Sequence, residues 1–264
     1  MQNEISVPDT FKKSQQASKN VVPRIIWMLW LQGFTNAPEL VKACVQSWCR
    51  LNPDHVVHLL DTQSLQKFIP AADLARIFAT EKQPEAISNE IRLELLARHG
   101  GVWVDATTIC ARPLDDWLPA HAPLGFFGFA RPGPDRMLST WFLAASPANL
   151  IIETWRQATI AYWHGRSERH IYFWVHALFE KCYAENSAFR NIWDSTPKIS
   201  AMHRFHFSPD STQLHDPVSD DDRRSMQNPQ IPVFKLTNKI EVSQDSGSLM
   251  QTLLSFAKGE NLSA

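Results

Sequence analysis

Residues 88–107, SNEIRLELLARHGGVWVDAT, constrain the fold more strongly than any other part of this 264-residue chain. Near their start, apolar residues recur at every fourth position, as on one face of a helix: Ile87, Ile91 and Leu95. Gly100 can adopt the left-handed backbone conformation that ends many helices. The following residues are β-branched or aromatic and predict a short buried strand: Val102, Trp103 and Val104. A helix, a glycine turn and a returning strand that ends at Asp105 are therefore expected.

The geometry of this helix and strand predicts which polar residues meet. Four strand residues advance roughly 13 Å, and the helical rise from His99 back to Ile91 covers roughly 12 Å. Asp105 is therefore expected level with Asn89 and Arg92, which share one face of the helix. A carboxylate, an amide and a guanidinium would then converge at the carboxyl end of a strand, where open α/β sheets commonly bind ligands.

The same residues also allow a purely structural interpretation. Buried strands often end in Asp because Asp favours turns. Arg92 can instead pair with Glu90, with Glu94 or with a carbonyl group at the edge of the sheet. Converging polar groups mark functional sites only as a tendency, so these residues alone leave both interpretations open.

The surrounding pattern predicts an α/β fold. Residues 25–30 are apolar on both faces and predict a central strand, and Asn36 is the expected cap of the helix that follows. Residues 55–60 predict a second strand, which completes a parallel strand–helix–strand unit. Two more strands are expected at residues 124–130 and 138–145, separated by a turn that contains Pro and Gly.

The second half of the chain is expected to be largely helical. Ser146 and Pro147 are predicted to begin one helix, and Ile171 to lie on the apolar face of the next. Residues 208–230 are rich in Asp, Ser, Pro and Gln and predict a long loop. No internal repeat or linker divides the chain, so a single domain is expected.

Composition excludes several classes of function. A hydrophobic content of 44% supports a sizeable core. The formal net charge of −1 gives no basic footprint, so no nucleic-acid partner is expected. The longest apolar run, residues 25–31, is far shorter than the roughly 20 residues of a membrane helix, and residues 1–20 lack the apolar core of a secretion signal. A cytoplasmic protein is therefore expected, with its four cysteines as core thiols.

Three segments together resemble a known family. Residues 88–107 resemble the helix, Gly-Gly turn and strand end of glycosyltransferases that carry a DxD sugar-binding motif, and especially the capsular polysaccharide synthesis family with its pattern LRLELL..GG.W.DAT. Residues 23–33, PRIIWMLWLQG, resemble that family's first strand, and residues 233–239, VFKLTNK, resemble its C-terminal lysine motif. With the intervening spacing, the resemblance extends over residues 21–240.

The resemblance implies a single GT-A-like domain at residues 21–245, with a Rossmann-like mixed sheet flanked by helices. Residues 1–20 would form a disordered or polar tail, and residues 246–264 a C-terminal helix and tail. The implied activity is transfer of a hexose from a UDP- or GDP-linked donor to a polysaccharide or lipid-linked oligosaccharide, in the synthesis of capsule or another surface polysaccharide. Such an enzyme would work in the cytoplasm or, by peripheral association, at the inner face of the membrane.

The resemblance also implies roles for individual residues. Asp105 and Arg92 are the expected catalytic residues, with Asp105 contacting a metal ion or the ribose and Arg92 reaching the donor sugar or its phosphates. Six residues are expected to bind the donor: Trp30, Gln32, Asn89, Trp103, Lys235 and Lys239. Mn²⁺ or Mg²⁺ would neutralise the diphosphate, held by Asp105 and Thr107. Thr107 stands where a DxD motif has its second carboxylate, which leaves the metal's affinity and identity open.

Several of these residues have alternative interpretations. Trp30 and Trp103 can pack in the core, with packing favoured over stacking for Trp103. Lys235 and Lys239 can protect a solvated edge strand. Asn89 can bond a sugar hydroxyl but cannot act as a base, which favours a binding role.

Other polar residues leave rival functions open. Asp115 and Asp116 are expected to be solvated turn carboxylates, although either can serve as the base for an acceptor hydroxyl. His203 and His206 would share a metal on a helix, whereas the flanking Phe205 indicates a strand that separates them. One rival is a non-catalytic protein that binds nucleotide sugars or carbohydrate, indicated by the incomplete motif. Another is a metal-dependent hydrolase that uses the two histidines.

Overall fold

A computed structural model describes residues 20–79, 82–208 and 211–261. The described residues form seven strands, β1 to β7: Ile25–Leu29, Val56–Leu60, Gly101–Val104, Thr108–Cys110, Phe126–Gly133, Arg136–Ala145 and Val233–Lys235. They also form nine α-helices, α1 to α9: Glu39–Leu51, Ala71–Phe78, Pro84–His99, Leu118–His121, Leu150–Trp163, Trp174–Glu185, Ser187–Ser195, Asp220–Gln227 and Leu249–Lys258. The predicted tail at residues 1–20 lies outside the described residues except for Asn20.

Five of the strands form one mixed sheet, with the order β2-β1-β3-β6-β5, and β4 pairs separately with β7. β2, β1 and β3 run parallel, while β6 runs antiparallel to both β3 and β5. Parallel neighbours require a crossover connection, and α1 provides it between β1 and β2. The predicted α/β fold, with a mixed sheet flanked by helices, is confirmed.

Apolar side chains pack on both faces of the sheet. Alternate residues of β1 enter two different clusters, Trp27 in one and Met28 in the other. The first cluster lies beneath α3, α5, α6 and α7, and the second beneath α1. A third cluster joins α1 and α9 around the β4-β7 pair. Helix α9, from the predicted C-terminal segment, is thus packed onto the rest of the fold. No helix within the described ranges is long and apolar enough to cross a bilayer.

The turn between α3 and β3 requires two consecutive glycines. Gly100 has a φ of +64° and Gly101 a φ of +93°, conformations that other residues rarely adopt. A Cβ atom at Gly100 would lie 2.8 Å from the carbonyl oxygen of Ala145, and one at Gly101 only 2.7 Å from that of Ile25. Gly100 has a ψ of −155°, so it is not the left-handed helical cap that was expected. Close packing of the chain against β1 and β6 is what requires glycine here.

Helix α1 begins later than the sequence predicted. Its first residue is Glu39, its cap residue is Pro38, and no side chain of the described residues caps it by a hydrogen bond. A residue directly before proline is disfavoured in helical conformation, so the helix cannot extend back through Ala37. The prediction that Asn36 caps this helix is therefore wrong.

Helix α5 also begins later than predicted. The side chain of Asn149 accepts a hydrogen bond from the amide of Ile151 and caps the helix. Ala148 has a φ of +52°, which a helix cannot accommodate. Ser146 and Pro147 therefore precede the helix and do not begin it.

Two expectations for the second half of the chain are corrected. α6 begins at Trp174, so Ile171 lies in the preceding loop, where it is 53% exposed. Residues 208–230 are not one long loop, because they contain α8. A capping box between Ser219 and Asp222 begins that helix, and Arg204 pairs with Asp222 at 2.9 Å. Local capping and this ion pair stabilise a helix whose composition indicated a loop.

Candidate functional site

A cleft of about 820 Å³ opens at the edge of the sheet where β1 and β3 end and β6 begins. Its walls include Trp30 after β1, Asp105 after β3, and Ser139 and Thr140 in β6. Because β1 and β3 are parallel, their carboxyl ends meet at this edge, a common position for ligands in α/β sheets. The cleft lies where the sequence predicted a ligand site.

Asp105 is held in a tight turn between β3 and β4. Its amide donates to the carbonyl of Trp141 at 2.8 Å. Its carbonyl accepts from the amide and the hydroxyl of Thr108, at 3.0 and 2.7 Å. The side chain remains 28% exposed and lines the cleft. The backbone of Asp105 is thus held by hydrogen bonds, while its carboxylate remains open to a ligand.

Arg92 reaches this carboxylate from α3. Its Nη2 donates to Oδ1 of Asp105 at 3.2 Å and to the hydroxyl of Ser88 at 3.0 Å, and its Nη1 donates to the carbonyl of Thr140 at 2.7 Å. Trp103 donates from Nε1 to the same Oδ1 at 3.1 Å. The Arg92 side chain is 5% exposed. Burial lowers its pKa, and the charge of Asp105 opposes that shift. The predicted contact between Asp105 and Arg92 is present as a salt bridge.

The acidic residues next to Arg92 on α3 pair elsewhere. Glu90 and Glu94 contact four other basic side chains: Arg76, Lys82, Arg98 and Arg156. The third partner considered for Arg92, a carbonyl group of the sheet, is present: it is the carbonyl of Thr140. Arg92 is therefore anchored by the protein backbone and also contacts Asp105.

Lys235 lies in the cleft wall beside Thr107. The β4-β7 pairing places Lys235 opposite Thr108. Its Nζ donates to the hydroxyl of Thr107 at 2.6 Å and to the carbonyl of Leu236 at 2.9 Å. Burial lowers the pKa of Lys235, and the charge of Asp105 partly opposes this. Lys235 is thus a half-buried lysine of the cleft and not a residue of a solvated strand edge.

The remaining residues expected to bind the donor line the same cleft: Trp30, Gln32, Asn89, Trp103 and Lys239. Trp103 is 1% exposed, and the centre of its ring lies 5.0 Å from the guanidinium carbon of Arg92. Trp103 therefore packs and positions Asp105, while Trp30 is only partly buried and also packs against the cluster of α1 and α9.

Asp115 and Asp116 do not line the cleft. Asp115 pairs at 2.8 Å with Arg24. Arg24 directly precedes β1 and so lies at the amino ends of the parallel strands, opposite to the carboxyl ends that face the cleft. The short 3₁₀ helix that carries both aspartates places them away from Asp105. Neither is positioned as a base for chemistry in this cleft.

His203 and His206 do not form a metal centre in the described part of the chain. Their ring centres are 6.1 Å apart, and burial lowers the pKa of both, to about 4 for His203. His206 lines the cleft and its backbone bridges to Lys235. Among residues 20–79, 82–208 and 211–261, no group of three or more His, Cys, Asp or Glu side chains is arranged to hold a metal ion.

One wall of the cleft was not predicted from the sequence. This wall consists of residues from β6, from the loop before α6 and from α6 itself: Arg136, Arg169, Tyr172, Phe173 and His176. The guanidinium carbon of Arg136 lies 3.8 Å from the ring centre of Phe173, and that of Arg169 lies 4.7 Å from that of Tyr172. The signal available in the sequence was the close spacing of one basic and two aromatic residues, Arg169, Tyr172 and Phe173.

The cleft carries an excess of positive charge. The described lining residues include five basic side chains, Arg92, Arg136, Arg169, Lys235 and Lys239, against two carboxylates, Glu85 and Asp105. The whole chain, by contrast, has a formal net charge of −1. This local excess favours an anionic ligand such as a phosphate ester.

The residues around Asp105 do not fit a divalent cation. Mg²⁺ and Mn²⁺ that carry nucleotide phosphates take oxygen ligands, and the protein usually supplies one or two free carboxylates among them. Oδ1 of Asp105 already accepts two hydrogen bonds, and the hydroxyl of Thr107 is bonded to the Lys235 ammonium. The Arg92 guanidinium and the Lys235 ammonium are fixed positive charges that would repel a metal ion at this position.

A family model described as capsular polysaccharide synthesis protein matches residues 2–254. The chain belongs to this family. The match to the capsular polysaccharide synthesis family includes every residue that lines the cleft. The whole cleft therefore lies within the part of the chain that the family model matches.

Two similar proteins are named as glycosyltransferases. O-glycosyltransferase braB of Annulohypoxylon truncatum is 30% identical over 163 residues, covering 53% of this chain and 38% of that protein. Glycosyltransferase afumC of Aspergillus fumigatus is 31% identical over 160 residues, covering 54% of this chain and 41% of that protein. The chain thus spans about two-fifths of the length of these relatives.

The fold is similar to that of a solved glycosyltransferase structure. The apo-form glycosyltransferase GlyE of Streptococcus pneumoniae aligns with a TM-score of 0.50 and 11% sequence identity, covering 89% of this chain and 60% of GlyE. At this low sequence identity, the similarity to GlyE shows only that the two proteins share a fold.

Proposed function

We propose that this member of the capsular polysaccharide synthesis family is a glycosyltransferase that moves a hexose from a UDP- or GDP-linked donor to a polysaccharide or lipid-linked oligosaccharide. The observation that carries the proposal is the cationic cleft at the ends of β1 and β3, where Asp105 contacts Arg92 and Lys235 lies beside Thr107. The names of the two similar proteins support sugar transfer as the activity.

The proposed reaction requires a stabilised leaving group. The bond between the anomeric carbon and the diphosphate oxygen breaks, and its electron pair stays on the diphosphate. The oxygen of an acceptor hydroxyl forms the new bond to the anomeric carbon, and the hydroxyl proton passes to the diphosphate or to water. Negative charge grows on the diphosphate, where fixed cations and hydrogen-bond donors lower the barrier.

Arg92 and Lys235 are the residues proposed to offset this charge. Arg92 is held by Ser88 and Thr140 before any ligand binds, so little reorganisation is needed. Asp105 fixes the guanidinium through Oδ1. Its second oxygen is proposed to accept a hydrogen bond from a hydroxyl of the ribose or of the donor sugar.

The rest of the cleft is proposed to hold the nucleoside and the acceptor. Trp30 and Gln32, at the end of β1, offer a ring face and an amide to the nucleobase, and Asn89 offers an amide to a sugar hydroxyl. On the opposite wall, the exposed ring of Tyr172 beside Arg169 offers a surface for the sugar or phosphate of an acceptor. A role in capsule or other surface polysaccharide synthesis, at the inner face of the membrane, is proposed from the family alone.

A second candidate is a non-catalytic protein that binds a nucleotide sugar. Two observations favour it: Thr107 replaces the second carboxylate of a DxD motif, and Asn89 cannot act as a base. Such a protein would bind the donor in the same cleft without releasing the nucleotide.

The assay that separates the two candidates measures release of the nucleoside diphosphate. The protein is incubated with UDP- and GDP-hexoses, with and without Mn²⁺, and slow hydrolysis of the donor is followed. We expect release by the unmodified protein, a fall of about a hundredfold in Asp105→Asn, and unchanged release in the matched control Asp115→Asn. Donor binding without release, even with added acceptor extracts, would favour the second candidate, and no binding would contradict both.

A further inference from the structure

We infer that Lys235 takes the place of a divalent cation in the cleft, so that a nucleoside diphosphate binds and departs without a metal ion. The inference rests on the proposed function, because it concerns how the same site binds the diphosphate of the donor. It replaces the Mn²⁺ or Mg²⁺ that the sequence led us to expect.

The position of the ammonium is the first observation. In a DxD motif the second carboxylate lies two residues after the first and helps to bind a metal ion. Here that position is Thr107, and Nζ of Lys235 lies 2.6 Å from its hydroxyl oxygen. The ammonium group of Lys235 thus lies beside the position where a DxD motif has its second carboxylate.

The contacts that hold Lys235 in place are the second observation. The β4-β7 pairing sets it opposite Thr108, and the amide of Leu236 donates to the carbonyl of Thr107 at 2.8 Å. Nζ also donates to the carbonyl of Leu236 at 2.9 Å. An ammonium group has three N–H donors, so these two hydrogen bonds leave one for a phosphate oxygen. The ammonium group is thus held at one position of the cleft wall and can offer its charge to a phosphate there.

The charge balance is the third observation. Asp105 is already paired with Arg92 at 3.2 Å, and its charge also acts on Lys235. A divalent cation at Asp105 would meet two like charges in a partly buried site. A diphosphate would meet two opposite charges there, in addition to Lys239 in the same cleft. The site therefore favours the diphosphate itself over a metal ion.

The test compares nucleotide binding with and without metal. The dissociation constants of UDP and GDP are measured by titration calorimetry in EDTA and in Mn²⁺. For the nucleotide that binds, we expect the two constants to agree within about threefold. In EDTA, Lys235→Met should weaken binding by about tenfold or more. Lys181→Met removes a lysine that is 62% exposed on α6 and should leave the constant unchanged.

Three outcomes would count against the inference, and they differ in meaning. Binding that requires Mn²⁺ would overturn it, and so would unchanged affinity in Lys235→Met. Absence of UDP and GDP binding in both conditions would instead overturn the proposed function. The melting temperature of Lys235→Met shows whether the variant is folded. If it is not, the comparison of EDTA with Mn²⁺ on the unmodified protein decides the question.

Discussion

The guanidinium of Arg92 contacts the carboxylate of Asp105, with 3.2 Å between Nη2 and Oδ1. This salt bridge joins the middle of α3 to the end of β3 across the turn formed by Gly100 and Gly101. Because Arg92 is also anchored on Thr140, the pair keeps its geometry without a ligand. A nearly buried cation and a partly exposed carboxylate are thereby presented together at the wall of one cleft.

Arg92→Lys should weaken binding of a nucleoside diphosphate by about tenfold or more. A lysine ammonium cannot span the oxygens of Ser88, Thr140 and Asp105 at once. The free energy of unfolding should also fall by about 1–3 kcal/mol, because partly buried acceptors lose their donor. Titration calorimetry and urea unfolding measure the two effects. Arg24→Lys, in an exposed ion pair, is the matched control. Equal affinity of the two variants for the nucleotide would show that Arg92 does not contribute to its binding.

Gly101→Ala should lower the free energy of unfolding by about 2–4 kcal/mol, through backbone strain and overpacking together. The added Cβ would lie 2.7 Å from the carbonyl oxygen of Ile25 at a φ of +93°. Gly165→Ala isolates the strain, because Gly165 has a φ of +70° and no atom of the described residues lies within 4 Å of the added Cβ. Urea unfolding should therefore show a larger loss for Gly101→Ala. Equal losses would mean that close packing of the turn contributes nothing.

His176 should make stability decline as the pH falls. Burial, followed by the positive charges of Arg136 and Arg92, lowers its pKa from 6.5 to about 3, and Asp135 opposes this only in part. Below about pH 6.5 the unfolded chain therefore binds a proton at His176 that the folded protein does not. The stabilisation is complete above this pH and is lost towards pH 3, at about 1.4 kcal/mol per pH unit.

His176→Phe tests this dependence. The variant should lose about 2 kcal/mol less than the unmodified protein between roughly pH 6.5 and 5, as measured by urea unfolding at each pH. Nδ1 of His176 has no hydrogen-bond partner among the described residues, so the substitution removes little else. His170→Phe, at an exposed position, serves as the control. If the free energy of unfolding falls as steeply with pH in His176→Phe as in the control, His176 is not the cause of the pH dependence.

Lys82→Met should lower the free energy of unfolding by about 3 kcal/mol without changing nucleotide binding. The side chains of Lys82 and Glu90 are only 3% and 1% exposed, and burial raises the pKa of Glu90 despite its basic partners. In the described part of the chain, removing Lys82 leaves Arg76 as the basic partner of Glu90. Lys82→Met combined with Glu90→Leu removes both charges and should recover much of the loss. A double variant as unstable as the single one would contradict this explanation.

The contact between Asp105 and Arg92 could be predicted from the sequence because helix rise and strand rise set it locally. The parallel β1-α1-β2 unit was predictable for the same reason, since apolar periodicity marks its parts. Helix starts were less predictable. They depend on Pro38 before α1 and on the positive φ of Ala148 before α5, which capping patterns alone do not identify.

The rest of the cleft depends on contacts between distant segments. Lys235 and Thr107 are 128 residues apart in sequence and meet only through the β4-β7 pairing. The wall formed by Arg136, Tyr172 and their neighbours requires β6 and the loop before α6 to come together. Local residue patterns carry no information on such pairings. The sequence shows Arg169, Tyr172 and Phe173 close together, but neither their place in the cleft wall nor the environment of Lys235 could be predicted from it.

A crystal structure of the protein with UDP or GDP bound tests the central claim most directly. The diphosphate is expected in the cleft, with its oxygens about 3 Å from Nζ of Lys235 and beside the Arg92 guanidinium. The nucleobase is expected towards Trp30. A nucleotide bound at another surface, or a diphosphate directed away from Asp105 and Lys235, would contradict the assignment of this cleft as a nucleotide-sugar site.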